Sequence, residues 1–325
     1  MRAVLYTFRR ADPVLAFAED FPELDWSFVW SAEELARTLQ GAEVLVLNNR
    51  ICTKETGAAL ARGRSPALRW IHFVSAGIER GIAMGLPADV PVTTSAGTKA
   101  RVVAEHAMTL LLAASRRLRD MGEAQRHHHW ARVEINGRMR SLEGATLAVL
   151  GMGAIGREVA RKARAFDMDV IGVSRRGAAG GDFAEAYPRA RMAEALSRAD
   201  AVVVATDSDP SSHHLIDAAA LAAMKPTAYL VNVARGEIVD EAALVRALAE
   251  GALAGAALDV TEAEPLDPAS PLWDMANVIL SPHVSGGGSN GYPNLRDLFA
   301  ENLARLGTGR PLVNRYQPAP IEAPA

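Results

Sequence analysis

The segment LGMGAIGREVARK, residues 150–162, limits what this chain can fold into more than any other feature. Three glycines, Gly151, Gly153 and Gly156, follow the apolar run ATLAVL. They precede a stretch in which Ile155, Val159, Ala163 and Phe166 recur at helical spacing. A buried strand that enters a helix through such a turn is the arrangement that receives a dinucleotide. Gly151 permits the tight turn, Gly153 lets a pyrophosphate approach the main chain, and Gly156 lets the helix lie close against the strand. The helix start, Ala154 and Ile155, then offers main-chain N–H groups and the positive end of the helix dipole. The alternative is a strand–helix corner with no ligand.

The rest of the chain supplies the setting that such a turn needs. Short apolar runs at 2–7, 42–49, 69–75 and 90–95, and again at 145–151, 169–174, 201–206, 228–234, 255–260 and 277–283, read as strands. Helical patterns lie between them, at 154–166, 192–198 and 240–249, the last opening on Asp240 and Glu241 as cap and first-turn acid. Two longer amphipathic segments, 98–120 and 295–307, read as connecting helices. The expected fold is α/β, with two doubly wound parallel-sheet domains. A dinucleotide-binding domain is expected over 99–284, and a discontinuous substrate-binding domain over 1–98 and 285–325.

Composition narrows the function classes. At 325 residues the chain can bury two cores without staples, and a formal charge of −3 gives no electrostatic case for nucleic acid or an anionic membrane. Cys52 has no second cysteine to pair with, which fits a reducing, cytoplasmic setting. No run approaches the ~20 apolar residues of a membrane span, and MRAVLYTF reads as a first strand rather than a signal peptide.

About twenty residues past the glycines, the second strand ends in Ser174, Arg175 and Arg176. A carboxylate there would hold a ribose 2′-hydroxyl, whereas a hydroxyl and two guanidinium groups suit a 2′-phosphate. NADP(H) is therefore expected over NAD(H), which stays possible. The competing reading leaves both arginines solvated at a strand end. After the third strand the chain reads TDSDPSS, placing Thr206 beside the dinucleotide and the acidic Asp207 close by.

Histidines sort by context. His72, inside an apolar run, reads as a satisfied strand residue, and His106 as a structural hydrogen-bonding group. His127, His128 and His129 are consecutive, which splays the rings and makes a poor metal site. His213 and His214 read as a helix approach. His283 differs. It ends a strand, and ligands of open parallel sheets bind at the carboxyl ends of strands. An imidazole there is a candidate acid/base. Asp259, Glu262 and Glu264 follow one further strand, and Arg235 follows another after Val233 and Ala234. Tyr292 and Trp273 are candidate pocket residues.

The order GMGAIG, VNVARG, DVTEAEP, SPHVSG resembles the D-isomer-specific 2-hydroxyacid dehydrogenases over roughly residues 69–315. The resemblance implies a Rossmann cofactor domain and a flavodoxin-like substrate domain. It implies that Arg235 binds the carboxylate and carbonyl oxygen of the substrate, that His283 is the acid/base and that Glu264 pairs with it. It gives Asp259 to the nicotinamide carboxamide. It gives the loop at Ser75, Ala76 and Gly77 to the substrate carboxylate, and it implies a homodimer formed through 98–120 and HHHWAR. The activity it implies is reduction of short 2-keto acids, of the glyoxylate and hydroxypyruvate type, to D-2-hydroxy acids. The alternatives are an NAD-linked dehydrogenase of bulkier D-2-hydroxy acids and a non-catalytic dinucleotide sensor like the family's corepressor members.

Overall fold

Twelve strands account for the two sheets of this computed structural model, which describes residues 1–7, 13–288 and 291–317. Ser289 and Asn290, in the glycine-rich segment after His283, and the end of the chain lie outside the described residues. The chain divides into two compact units, Met1–Lys99 with Ser289–Ala325, and Ala100–Gly288.

The first unit holds β1 (Arg2–Tyr6), β2 (Asp25–Val29), β3 (Val44–Leu47), β4 (Trp70–Phe73) and β5 (Val92–Thr94), in the order β2-β1-β3-β4-β5. Every pairing is parallel. That order is the flavodoxin-like one. The second unit holds β6 (Thr146–Leu150), β7 (Asp169–Ser174), β8 (Glu185–Pro188), β9 (Ala201–Val204), β10 (Tyr229–Asn232), β11 (Gly255–Leu258) and β12 (Val278–Leu280). Its order, β8-β7-β6-β9-β10-β11-β12, is the doubly wound dinucleotide-binding order with one strand added.

Helices cover both faces of each sheet, so strands bury alternate residues on opposite sides. In the larger sheet Ala148, Leu150, Val202, Val204, Leu230 and Leu258 join one core, while Leu147, Val149, Val203, Val231 and Ala257 join the other. In the smaller sheet Val4, Leu45, Leu47, Ile71 and Phe73 face one way, and Ala3, Leu5, Val44, Val46 and Trp70 the other. Asp240 caps the helix Glu241–Ala249 by accepting from Ala243 N, a bond typically worth ~1 kcal/mol.

Two helical expectations are corrected. The segment 98–120 is not one helix. It breaks into Ala100–Ser115 and Leu118–Arg126 at Arg117, which takes φ +59°. The Arg117 guanidinium is held by Asp120 at 2.8 Å, which fixes the break. The glycine-turn helix ends at Arg164, so Phe166 falls beyond it and is 40% exposed instead of facing the core.

His72 is fully buried on β4, with Nδ1 2.8 Å from Thr93 Oγ1 and Nε2 3.3 Å from Ser95 Oγ. Burial pushes its pKa from the usual 6.5 down to about 3. Between those values the unfolded chain binds a proton here that the folded chain does not. Stability therefore falls as pH falls through that window, by about 1.4 kcal/mol per pH unit from this group. His72→Gln is expected to flatten the pH dependence of the denaturation midpoint below pH 6.5, and an unchanged slope rejects the assignment.

Candidate functional site

The site residues expected between 151 and 283 emerge along one edge of the larger sheet. All its pairings are parallel, so the carboxyl ends of β6, β7, β9, β10, β11 and β12 point the same way. The winding reverses at β6, which lies between β7 and β9, and ligands of open sheets bind at such a point.

Gly151 takes φ +102°, and a Cβ there would lie 2.6 Å from Ala205 O and from Thr206 N. A Cβ on Gly156 would lie 1.9 Å from Gly151 O. Packing within the protein alone therefore demands both glycines. Gly153 is different, because a Cβ there meets nothing within 4 Å. It begins the helix Ala154–Arg164 with no side-chain cap, so the first N–H groups receive no side-chain acceptor. Open space above uncapped helical N–H groups fits a pyrophosphate, with Ala154 and Ile155 in the first turn.

At the end of β7 the Ser174 hydroxyl accepts from Gly177 N at 3.0 Å, and Arg175 and Arg176 are exposed. Neither guanidinium forms an ion pair among the described residues. Arg175 acts on Asp209, in the loop after β9. The Asp209 carboxyl is held below its usual range by the Ser211 hydroxyl first, with smaller help from the charges of Arg189 and Arg175. Arg189 also fastens this loop, donating to Ser211 O at 2.9 Å and to Ser211 Oγ at 2.8 Å.

Arg235 follows β10, after the buried Val233 and Ala234. Asn232 shapes the turn by donating from Nδ2 to Arg235 O and accepting from Ala234 N. A Cβ on Gly236 would lie 2.0 Å from Thr261 O, so only glycine lets this turn press against the chain after β11. Arg235 Nη1 donates to Ala234 O at 2.8 Å.

His283 follows β12 with φ +54°. Its Nδ1 lies 2.7 Å from Glu264 Oε2, and both side chains are partly exposed. A carboxylate only accepts, so Nδ1 carries the shared hydrogen and Nε2 is left to exchange a proton with a ligand.

Asp259 is buried beneath the segment that carries His283. Its side chain has no exposed surface, and it accepts from Ser281 Oγ at 2.5 Å, Val284 N at 2.9 Å and Ser285 N at 3.0 Å. Burial alone would raise its pKa, but bonds from Ser281, Ser285 and Val284 outweigh that and hold the carboxyl below its usual range. Through these bonds it fastens the His283 segment.

Ser75, Ala76 and Gly77 follow β4 in the first unit, and Ser75 Oγ is buried with no hydrogen-bond partner among the described residues. Tyr292 joins the aromatic core of that unit, 5.7 Å from the Phe17 ring, with its hydroxyl on Asp20 at 2.6 Å. Trp273 is 49% exposed and donates to Asp267 O at 3.0 Å. Sequence reasoning missed two contacts in the second unit, His214 Nε2 to Glu262 Oε1 at 2.7 Å and His106 Nε2 to Ser281 Oγ at 2.9 Å. Both join segments far apart in sequence, and the visible signal was only a polar residue near each strand end.

Such a sheet edge suits a dinucleotide, and the chain's relatives make it an NAD(P)-dependent oxidoreductase. Residues 108–285 match the family of the D-isomer specific 2-hydroxyacid dehydrogenase NAD binding domain. Glyoxylate reductase of Thermofilum pendens is 32% identical over 304 residues, 90% of this chain and 84% of that one. Among solved structures, an NADPH-dependent glyoxylate/hydroxypyruvate reductase from Sinorhizobium meliloti in complex with NADP and sulfate superposes with a TM-score of 0.83 at 27% identity, covering 97% of this chain and 98% of that one. A D-isomer specific 2-hydroxyacid dehydrogenase from Xanthobacter autotrophicus in complex with NADPH and MES gives 0.82 at 27% identity, with coverage of 97% and 98%. The chain belongs to the D-isomer-specific 2-hydroxyacid dehydrogenase family.

Proposed function

We propose that this protein is an NADPH-preferring reductase of short 2-keto acids, glyoxylate or hydroxypyruvate in type, yielding D-2-hydroxy acids. The observation that carries the reading is the His283–Glu264 pair at 2.7 Å on the sheet edge that also bears Arg235. A nicotinamide dinucleotide supplies the hydride when bound. Arg235 offers a planar fork to the substrate's carboxylate. The imidazole of His283 gives its Nε2 proton to the developing alkoxide, while Glu264 holds Nδ1–H and so orients the ring. Such acid catalysis is typically worth ~10²–10⁴-fold. Mixing the protein with NADPH and either keto acid should consume the reduced cofactor. Cofactor binding without consumption, across a panel of 2-keto acids, would leave the dinucleotide sensor instead.

The NADPH preference draws on exposed Arg175 and Arg176 and on the relatives described as holding NADPH or NADP. Asp209 within reach of the Arg175 charge is the observation that favours NAD(H). Changing both arginines to Ala is expected to weaken NADPH about 100-fold, since bonds between ionised partners are worth ~1.5–3 kcal/mol each. NADH affinity should stay within about twofold, and equal weakening of the two cofactors rejects the assignment. A homodimer is part of the reading, supported by the exposed Leu118, Trp130 and Val133 of segment 118–133. Light scattering in solution measures that state, and a monomer rejects it.

A further inference from the structure

We propose that His106, on the helix Ala100–Ser115, is a positioning residue that sets the His283 imidazole through Ser281 and Asp259. The proposal deepens the reductase reading and rests on it for its kinetic arm. His106 Nε2 lies 2.9 Å from Ser281 Oγ and 3.4 Å from Asp259 Oδ1. Ser281 Oγ lies 2.5 Å from the same Oδ1.

Donor counting gives each bond its direction. An ionised carboxylate only accepts, so the Ser281 hydroxyl donates to Asp259. A hydroxyl has one hydrogen, so toward His106 the same oxygen accepts. His106 is therefore the donor, through Nε2–H. The chain of donation runs from imidazole to hydroxyl to carboxylate.

That carboxylate is the anchor of the segment carrying His283. It takes the main-chain N–H groups of Val284 and Ser285, and Asp259 O takes the N–H of His283 at 2.8 Å. A histidine at φ +54° is held there by its surroundings, because a non-glycine residue rarely adopts that region unaided. Asp259 has no exposed side-chain surface, whereas His106 is 24% exposed. The imidazole thus closes the network on its outer side. Loss of its N–H removes the one bond that Ser281 Oγ accepts among the described residues, and frees the hydroxyl to turn from Asp259. The bonds to residues 284 and 285 then loosen, and the His283 ring loses its alignment on Glu264. Nothing here requires His106 to touch substrate or cofactor.

His106→Leu and His106→Gln separate this role from general damage. Leucine has no donor, whereas glutamine ends in an N–H group of comparable reach. His106→Leu is expected to lower kcat for 2-keto acid reduction about tenfold, the size expected for one lost hydrogen bond, with the NADPH Kd within twofold. His106→Gln is expected to regain at least half of the wild-type kcat. Hydrogen exchange of the 281–285 main chain, read without turnover, should quicken in His106→Leu and stay near wild type in His106→Gln. Unchanged kcat and exchange in His106→Leu overturn the proposal, as does a His106→Gln variant as impaired as His106→Leu, or a parallel loss of NADPH affinity. If the unaltered protein reduces no 2-keto acid while exchange responds as stated, the positioning stands and the reductase reading falls.

Discussion

His283→Ala is expected to lower kcat by about 10³-fold, within the range typical of a positioned proton donor, while NADPH affinity changes less than about twofold. The separation follows from the sheet. His283 follows β12, and the glycine turn follows β6, four strands away, which at ~4.8 Å per strand is roughly 19 Å. Removing the imidazole leaves the pyrophosphate cradle untouched. Single-turnover measurement of cofactor oxidation reads the chemical step, and fluorescence of bound NADPH reads affinity. A variant that keeps wild-type turnover removes His283 from the reaction. Glu264→Gln should show a milder loss, because glutamine can still accept from Nδ1–H but carries no charge.

Arg235→Ala is expected to cut kcat/KM for a 2-keto acid by about 10³-fold, in line with the 2–5 kcal/mol cost of truncating one partner of a hydrogen-bonded charge pair. Both constants should suffer, since the fork contributes to ground-state capture and to alignment of the carbonyl. Arg235→Lys keeps the charge without the planar two-point contact and should recover only part of the loss. Steady-state kinetics over a range of keto acid concentrations checks both variants. A fall in kcat alone, with KM unchanged, would mean that Arg235 does not hold the substrate's carboxylate.

Much of the architecture is legible in the sequence, for a definite reason. Strands covered on both faces read as unbroken apolar runs, and the central strands announced themselves that way. The glycine turn was legible because Gly151 and Gly156 leave no room for a Cβ. Two of the four edge strands were not legible. DWSFV in β2 and EAYP in β8 are only partly buried, and polar residues interrupt them. The break at Arg117 was hidden too, because it depends on capture of a guanidinium by Asp120, and periodicity carries no such information.

The same division runs through the site. Arg235, Glu264 and His283 could be picked out because each follows a strand whose carboxyl end had to reach one edge of a parallel sheet. Strand position alone left Asp259, Glu262 and Glu264 equal as partners, and only the family resemblance singled out Glu264. Glu264 and Asp259 both stand near His283 in the sequence pattern, yet one meets the ring and the other is buried under the main chain that carries it. His106 and His214 looked like ordinary polar residues, and only folding set them against Ser281 and Glu262.

By itself the sequence determined the alternation of buried strands and helices, the glycines of the turn and the types of group on the sheet edge. These follow from local rules, since burial, turn conformation and strand direction are properties of short stretches. Tertiary structure alone decided the partners of groups such as His106 and His214 and the burial of Asp259. Hydrogen-bond pairing depends on ångström distances between residues such as 106, 259 and 281, and no local pattern encodes separations across so much chain.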